Sequence, residues 1–311
     1  MTTPKPSSTP ELSVIVVVLA GGTHTERCLR ALGTREGVPD VEIVVPYDDR
    51  RPETAELRRK FSEVRWVRCA GRRTCAELRA AGVRESRAAV VAVTEDQCIP
   101  PAPWCRNVLA AHQASYAAIG GPVEKQEPDT ALNWAIYLRE LGSYMPPMGE
   151  GPVHQLTDCN VTYKRAALDT IALLWAESFH EPQVHGALEA RGQTLWLSNS
   201  LLTYQQRTLE LGPALAERYE FGRLYGSMRV AKVSIPRRLL MVAAASLLPL
   251  LLTARVYATV FGKGRHIAAA LRAAPYLLLF ATVWAWGELL GYLTGRPPAA
   301  WDPARRAAPI P

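Results

Sequence analysis

A paired-cysteine framework and a dinucleotide-binding glycine run are both missing from this 311-residue chain. Its six cysteines (28, 69, 75, 98, 105 and 159) contain no C-x-x-C pair and keep no zinc-like spacing with the histidines, so they read as reduced structural thiols. G-x-G-x-x-G does not occur, which removes the usual foothold for NAD or FAD. His112, His154, His180 and His185 show no i,i+4 ligand pairing, which argues against a helix-borne metal site. "MTTPKPSSTPE" lacks both an apolar core and a charged leader, so residues 1–11 are expected to be a disordered tail. Lysine is scarce too, six against thirty arginines, yet the net charge is +7. That balance favours anionic partners. The basic residues are scattered and no aromatic-basic recognition motif is visible, so nucleic acid is not the expected one.

What is present is an alternation of patterns. "LSVIVVVLA" (12–20) is continuously apolar, as a strand covered on both faces should be, and "GGTHTERCLRAL" follows as a glycine turn and an amphipathic helix. "VEIVVPY", "VRWVRCA" and "AAVVAVT" are further strands, separated by the helical stretches "RPETAELRRKF" and "RTCAELRAAGVRESR". Strands alternating with helices of this length predict βαβ units and a mostly parallel sheet. In such sheets ligands bind beyond the carboxyl ends of the strands. Asp48, Asp49, Glu95 and Asp96 all fall there, and carboxylate oxygens suit Mg²⁺ or Mn²⁺. The alternative is that these acids cap the helices that follow.

From about Leu12 to Arg207 the sequence resembles a family 2 glycosyltransferase of the GT-A nucleotide-sugar fold. "SVIVVVLAGG" is similar to the family's opening strand, "EIVVPYDD" to its "EIIVVDD" strand, and "ELRAAG" to its "ARNxG" helix. "VTED" with "IPPAPW" takes the place of "LDxD" and the proline-tryptophan elbow. "GGPV" (120–123), "DCNVTYKR" (158–165), the acidic helix "FHEPQVHGALEARG" (179–192) and "LLTYQQR" follow in the family's order.

The resemblance implies that Asp48 and Asp49 read the donor's base and ribose, that Arg79 and Glu95 face the donor, and that Asp96 holds the Mg²⁺ or Mn²⁺. It implies Glu181 as general base with Asp158 in reserve, and Trp104 and Asn160 on the acceptor side. Trp104 also reads as packing under the site. Two positions depart from the family: Thr94 stands where the first aspartate of DxD is usual, and Pro182 where the second acid of the "ED" pair is usual. They keep open a second reading, a catalytically inactive nucleotide-sugar-binding protein on a membrane.

Past residue 208 the character changes. Residues 208–238 are basic and aromatic, suited to a juxtamembrane helix against anionic headgroups. Two apolar runs, 239–262 and 273–295, each reach the length needed to cross a bilayer, as two transmembrane or re-entrant helices. Arg255 and Glu288 interrupt them and demand partners. A flexible tail is expected over 296–311. The expected activity is therefore metal-dependent, inverting transfer of a sugar from a nucleotide-diphosphate sugar to a membrane lipid. The expected location is a bacterial inner (cytoplasmic) membrane, with the catalytic domain facing the cytosol. "YQQRTLE" lacks the tryptophan of the polymer-making "QxxRW" motif, which disfavours processive synthesis.

Overall fold

A computed structural model describes residues 9–33, 40–48, 53–71, 73–230 and 233–298. Asp49 and most of both expected tails lie outside the described residues. The chain divides into two compact units, one formed mainly by residues before 125 and by 146–206, the other by 125–145 and by the residues from 207 onward.

The first unit begins with β1 (Leu12–Val17), α1 (Gly22–Gly33), β2 (Val41–Asp48), α2 (Glu53–Lys60), β3 (Arg65–Cys69), α3 (Cys75–Glu85) and β4 (Val90–Glu95). Next come β5 (Cys98–Ile99), α4 (Trp104–Ala111), β6 (Ala118–Gly120) and β7 (Val123–Lys125). After α5 (Ala131–Glu140), which belongs to the second unit, follow β8 (Gly151–Val153), β9 (Asn160–Lys164), α6 (Arg165–Asp169), α7 (Ala172–Trp175), α8 (Glu181–Glu189), β10 (Leu195–Leu197) and β11 (Thr203–Gln205). The main sheet has the order β3-β2-β1-β4-β9-β6-β10-β8. Its first four strands are parallel, and β9 runs against both β4 and β6. This is the α/β fold with a mostly parallel sheet that the alternation predicts. The sequence "LLTYQQR" closes a small second sheet instead of the main one, pairing antiparallel with β5.

Strand alternation decides what each face carries. Ile15, Val17, Val91 and Val93 point to a core shared with Leu78 of α3 and with Val184 and Leu188 of α8. Val14, Val16 and Ala92 point the other way, toward Cys28 and Leu29 of α1 and Trp104 and Val108 of α4. Both faces are dry, so β1 and β4 need apolar side chains throughout. A capping box starts α3: Thr74 Oγ1 accepts from the Glu77 N–H at 3.1 Å, and Glu77 Oε2 accepts from the Thr74 N–H at 2.8 Å.

The second unit is helical: α5, α9 (Leu211–Arg229), α10 (Ile235–Ala245), α11 (Leu248–Lys263) and α12 (Ile267–Thr294). The expected single basic helix over 208–238 is instead α9 and the start of α10, whose first turn contains Pro236. The first apolar run is broken before Pro249, which supplies no N–H and clashes with the preceding turn, and α10 and α11 meet at a 61° bend. Among the described residues α12 alone is long and apolar enough to cross a membrane, and the bent α10–α11 pair passes the same length and composition test as one broken span.

Helices α9 and α12 meet on glycine. A Cβ at Gly222 would sit 2.3 Å from the Trp284 carbonyl oxygen, and one at Gly226 2.3 Å from that of Glu288. Reciprocally, Gly287 faces the Tyr219 carbonyl at 2.3 Å and Gly291 that of Arg223 at 2.4 Å. Each helix thus offers two glycines one turn apart, and backbone lies on backbone. Glu288 is buried beside this seam. It accepts from Trp284 Nε1 at 2.8 Å and from the Tyr292 hydroxyl, and Arg229 approaches it at 3.6 Å. The partner that this buried acid demands is therefore Arg229.

Candidate active site

At the carboxyl end of the main sheet one guanidinium gathers three carboxylates. Arg79, on α3 and only 3% exposed, donates from Nη2 to Glu95 Oε1 at 2.9 Å and to Asp158 Oδ2 at 3.1 Å. Its Nη1 donates to Glu181 Oε2 at 3.1 Å. The other Glu181 oxygen lies 2.9 Å from Arg79 Nε without hydrogen-bond alignment, leaving both atoms buried and unpaired. Alternation explains the gathering. Glu95 follows Val91 and Val93 on one face of β4, and α3 and α8 pack against that same face.

One positive charge cannot neutralise three negative ones in a buried setting. Burial and the nearby Asp158 push the Glu181 carboxyl up to about 7, although Arg79 pulls the other way. Burial would lower the Arg79 guanidinium, but Glu181, Asp158 and Glu95 outweigh it and hold it well above its ordinary value. Behind the cluster, Tyr163 on β9 bonds His185 Nε2 at 2.9 Å, and His185 Nδ1 meets Gln155 Oε1 at 3.1 Å. His185 lies one turn after Glu181 on α8, so this chain fixes the face that the helix presents. Burial holds the His185 imidazole down at about 4, and it stays neutral.

Asp96, the expected metal ligand, is placed elsewhere. It follows Thr94 and Ala92 on the opposite face and is fully buried. Its Oδ1 accepts from the Leu19 N–H at 3.0 Å, its Oδ2 from the Gly21 N–H at 2.7 Å and the Thr25 hydroxyl at 2.9 Å, and the Ala20 N–H reaches both oxygens at 3.2 Å. A carboxylate saturated by four donors clasps the loop between β1 and α1. It does not fit the demands of a cation. Thr94 points into the core and donates to the Cys159 carbonyl at 2.9 Å. Among the described residues no group of three or more His, Cys, Asp or Glu is arranged to hold a metal ion.

Trp104 and Asn160, expected on the acceptor side, are both buried. Trp104 is 1% exposed and donates from Nε1 to Asn160 Oδ1 at 3.2 Å. Asn160, wholly buried, donates from Nδ2 to the carbonyls of Pro122 at 3.1 Å and Leu201 at 2.5 Å. The two side chains tie α4, β9 and the segment before β11 together, with nothing left to offer a ligand. Trp104 is a core residue, packed with Val14, Val16 and Cys28. Asp48 ends β2 buried, accepting from the Arg73 N–H at 3.4 Å. The structure thus brings Arg79, Glu95, Asp158 and Glu181 together in one cluster, while Asp96, Trp104 and Asn160 spend their hydrogen bonds on backbone, on Thr25 and on one another. Sequence reasoning missed the Thr25 hydroxyl and the Tyr163–His185–Gln155 chain, for which alternation on β9 and the i,i+4 spacing from Glu181 are the only signals.

Residues 13–172, just over half of the chain, match the profile described as Glycosyl transferase family 2. The chain belongs to that family. It is a glycosyltransferase, and the matched segment runs from β1 through Asp158 to the start of α7. Among solved structures, the mannosyltransferase PcManGT from Pyrobaculum calidifontis, in complex with GDP-Man and Mn²⁺, shares the fold at 15% identity and TM-score 0.50, over 94% of this chain and 87% of that one. TarS from S. aureus is 11% identical at TM-score 0.49, over 73% of this chain and 41% of its own. No curated protein sequence matches this family 2 glycosyltransferase significantly.

Proposed function

We propose that this glycosyltransferase moves a sugar from a nucleotide-diphosphate sugar to a hydroxyl of a membrane lipid by single displacement, inverting the anomeric carbon. One observation carries the proposal. Glu181 is a buried carboxyl with one unpaired oxygen and a pKa of about 7, set among the acids at the sheet's carboxyl rim. A general base works best when its pKa lies near the operating pH. The acceptor oxygen forms its bond to the anomeric carbon as the bond to the diphosphate breaks. The hydroxyl proton passes to Glu181, and the bonding electrons leave with the nucleoside diphosphate. Arg79 keeps Glu181, Asp158 and Glu95 in one cluster, and Asp158, the most exposed of the three, is the reserve base. Asp48 stands as the donor-reading acid at the end of β2. Because Asp96 does not fit a cation, no step is routed through Mg²⁺ or Mn²⁺.

The lipid acceptor follows from the second unit. Leu239, Leu240, Leu247, Leu250, Leu251, Leu271 and Trp286 are each more than half exposed on α10, α11 and α12. An apolar surface of that extent suits a membrane. A lipid acceptor is confined to the same surface, and a nucleotide-sugar donor puts the active site on the cytosolic side.

The test is nucleoside diphosphate release by the detergent-solubilised protein from a panel of nucleotide sugars, with and without a mixed lipid extract, in Mn²⁺ or EDTA. Release that requires lipid, and that Glu181→Gln abolishes while donor binding persists, is expected. Release that is equal without lipid would overturn the acceptor, and donor binding without any release would overturn the chemistry. The EDTA arm decides the cation requirement.

A further inference from the structure

Three arginines of the helical unit, Arg139, Arg207 and Arg218, gather at one part-buried acid, Glu140. Arg207 Nη1 meets Glu140 Oε2 at 2.7 Å, and Arg218 Nη2 meets Glu140 Oε1 at 2.6 Å. Glu217 supplies the second carboxylate, 3.3 Å from Arg207 and 4.0 Å from Arg218. Arg139 precedes Glu140 on α5, where its guanidinium lies 5.6 Å above the Trp284 ring and pairs with no carboxylate among the described residues. Burial lowers the Arg139 guanidinium, the charges of Arg218 and Arg255 lower it further, and Glu140 and Glu288 oppose. Three guanidiniums thus crowd round Glu140, and Glu217 lies near two of them.

Arg218 is 7% exposed, and its Nε has no hydrogen-bond partner. A buried guanidinium N–H left unpaired is costly, and mutual repulsion among the arginines adds to that cost. Both are relieved by an anion with several acceptor oxygens, and planar guanidinium groups match phosphate best of all. The same unit exposes the apolar side chains of α10, α11 and α12, which suit the acyl chains of a lipid that bears the phosphate. A soluble anion has no use for that surface.

We propose that Arg139, Arg207 and Arg218, gathered at Glu140, form a binding site for the phosphate group of a membrane lipid. This deepens the lipid-acceptor reading and rests on it only for the identity of the lipid as substrate: the phosphate anchors the lipid, and a hydroxyl elsewhere on it is the nucleophile.

The full-length protein in detergent is presented with phosphatidylcholine vesicles, with the same vesicles carrying phosphatidic acid, and with inorganic phosphate alone. Phosphatidic acid is expected to tighten vesicle binding about tenfold or more, and Arg139→Gln is expected to cancel that gain, as loss of one charge-assisted contact should. Arg237→Gln, an exposed arginine in the first turn of α10, removes the same charge and is expected to leave most of the gain intact. Equal losses in the two variants would mean diffuse attraction to an acidic surface and would overturn the site. Inorganic phosphate binding alone as tightly as the vesicle would overturn the lipid source. Should turnover prove independent of lipid while phosphatidic acid still binds through Arg139, the acceptor reading fails and the site stands.

Discussion

Replacing Glu181 by glutamine removes one titration from the folded protein and leaves the shape of the side chain. In the folded chain this carboxyl titrates at about 7, against an ordinary 4.5 once unfolded. Between those values the folded state holds a proton that the unfolded state has released. The carboxyl therefore contributes stability that is complete below about 4.5 and is lost as pH rises through about 7. The gap corresponds to about 3 kcal/mol. The group is 4% exposed, so solvent screening takes little from that figure. Glutamine does not titrate. The stability difference between variant and parent should accordingly move by about 3 kcal/mol in the variant's favour from acid to mildly alkaline pH. His112 and His185, both held near 4 by burial, act alike in the two proteins and cancel. The assay is denaturant unfolding of both full-length proteins in detergent, at closely spaced pH values across that window. Parallel pH profiles would refute the reasoning, because they would mean that Glu181 is already ionised in the fold at low pH.

Two further perturbations test the two units separately. Asp96→Ala leaves the N–H groups of Leu19, Ala20 and Gly21 without their acceptor; we expect a loss of about 3 kcal/mol or more in unfolding free energy, with no change in the protein's own Mn²⁺ affinity by calorimetry. A fall in Mn²⁺ affinity out of proportion to the lost fold would restore Asp96 as a ligand. Gly226→Val drives a branched side chain into the Glu288 carbonyl, which a Cβ alone would approach to 2.3 Å. Overpacking of this kind costs about 1–3 kcal/mol, and amide exchange along α12 should quicken while the sheet of the first unit stays protected.

Much of the first unit was legible because buried strands need long apolar runs, as β1, β2 and β4 have, and the half-buried β3 also falls on the stretch that predicts it. The acids after β4 were legible as a pair but not in their directions. Glu95 and Asp96 are adjacent, so they must leave the strand on opposite faces, and the sequence does not say which face carries α3 and α8. Trp104 and Asn160 illustrate a related point: polar atoms of a motif look available in sequence until the buried partners that use them are known. The glycines of "GRLYG" (222–226) and "GELLG" (287–291) carry a readable spacing, yet nothing local says that they face each other. Arg79 was expected to face the donor. Its burial among three acids depends on contacts 16, 79 and 102 residues away, which no window of sequence contains.

The glycine seam has a topological consequence. It joins backbone at 222–226 to backbone at 287–291, so the chain between them is a closed loop, and the α10–α11 bend is part of it. Closing a loop of that length once is entropically cheap to lengthen, since the cost grows only with the logarithm of its size. With both ends clamped, the bent pair can straighten, or accept an insertion at its break, at the expense of its own packing on α12 and without reopening the joint. Variation between relatives of this chain should therefore gather in that arc, while the four glycines that close it stay small.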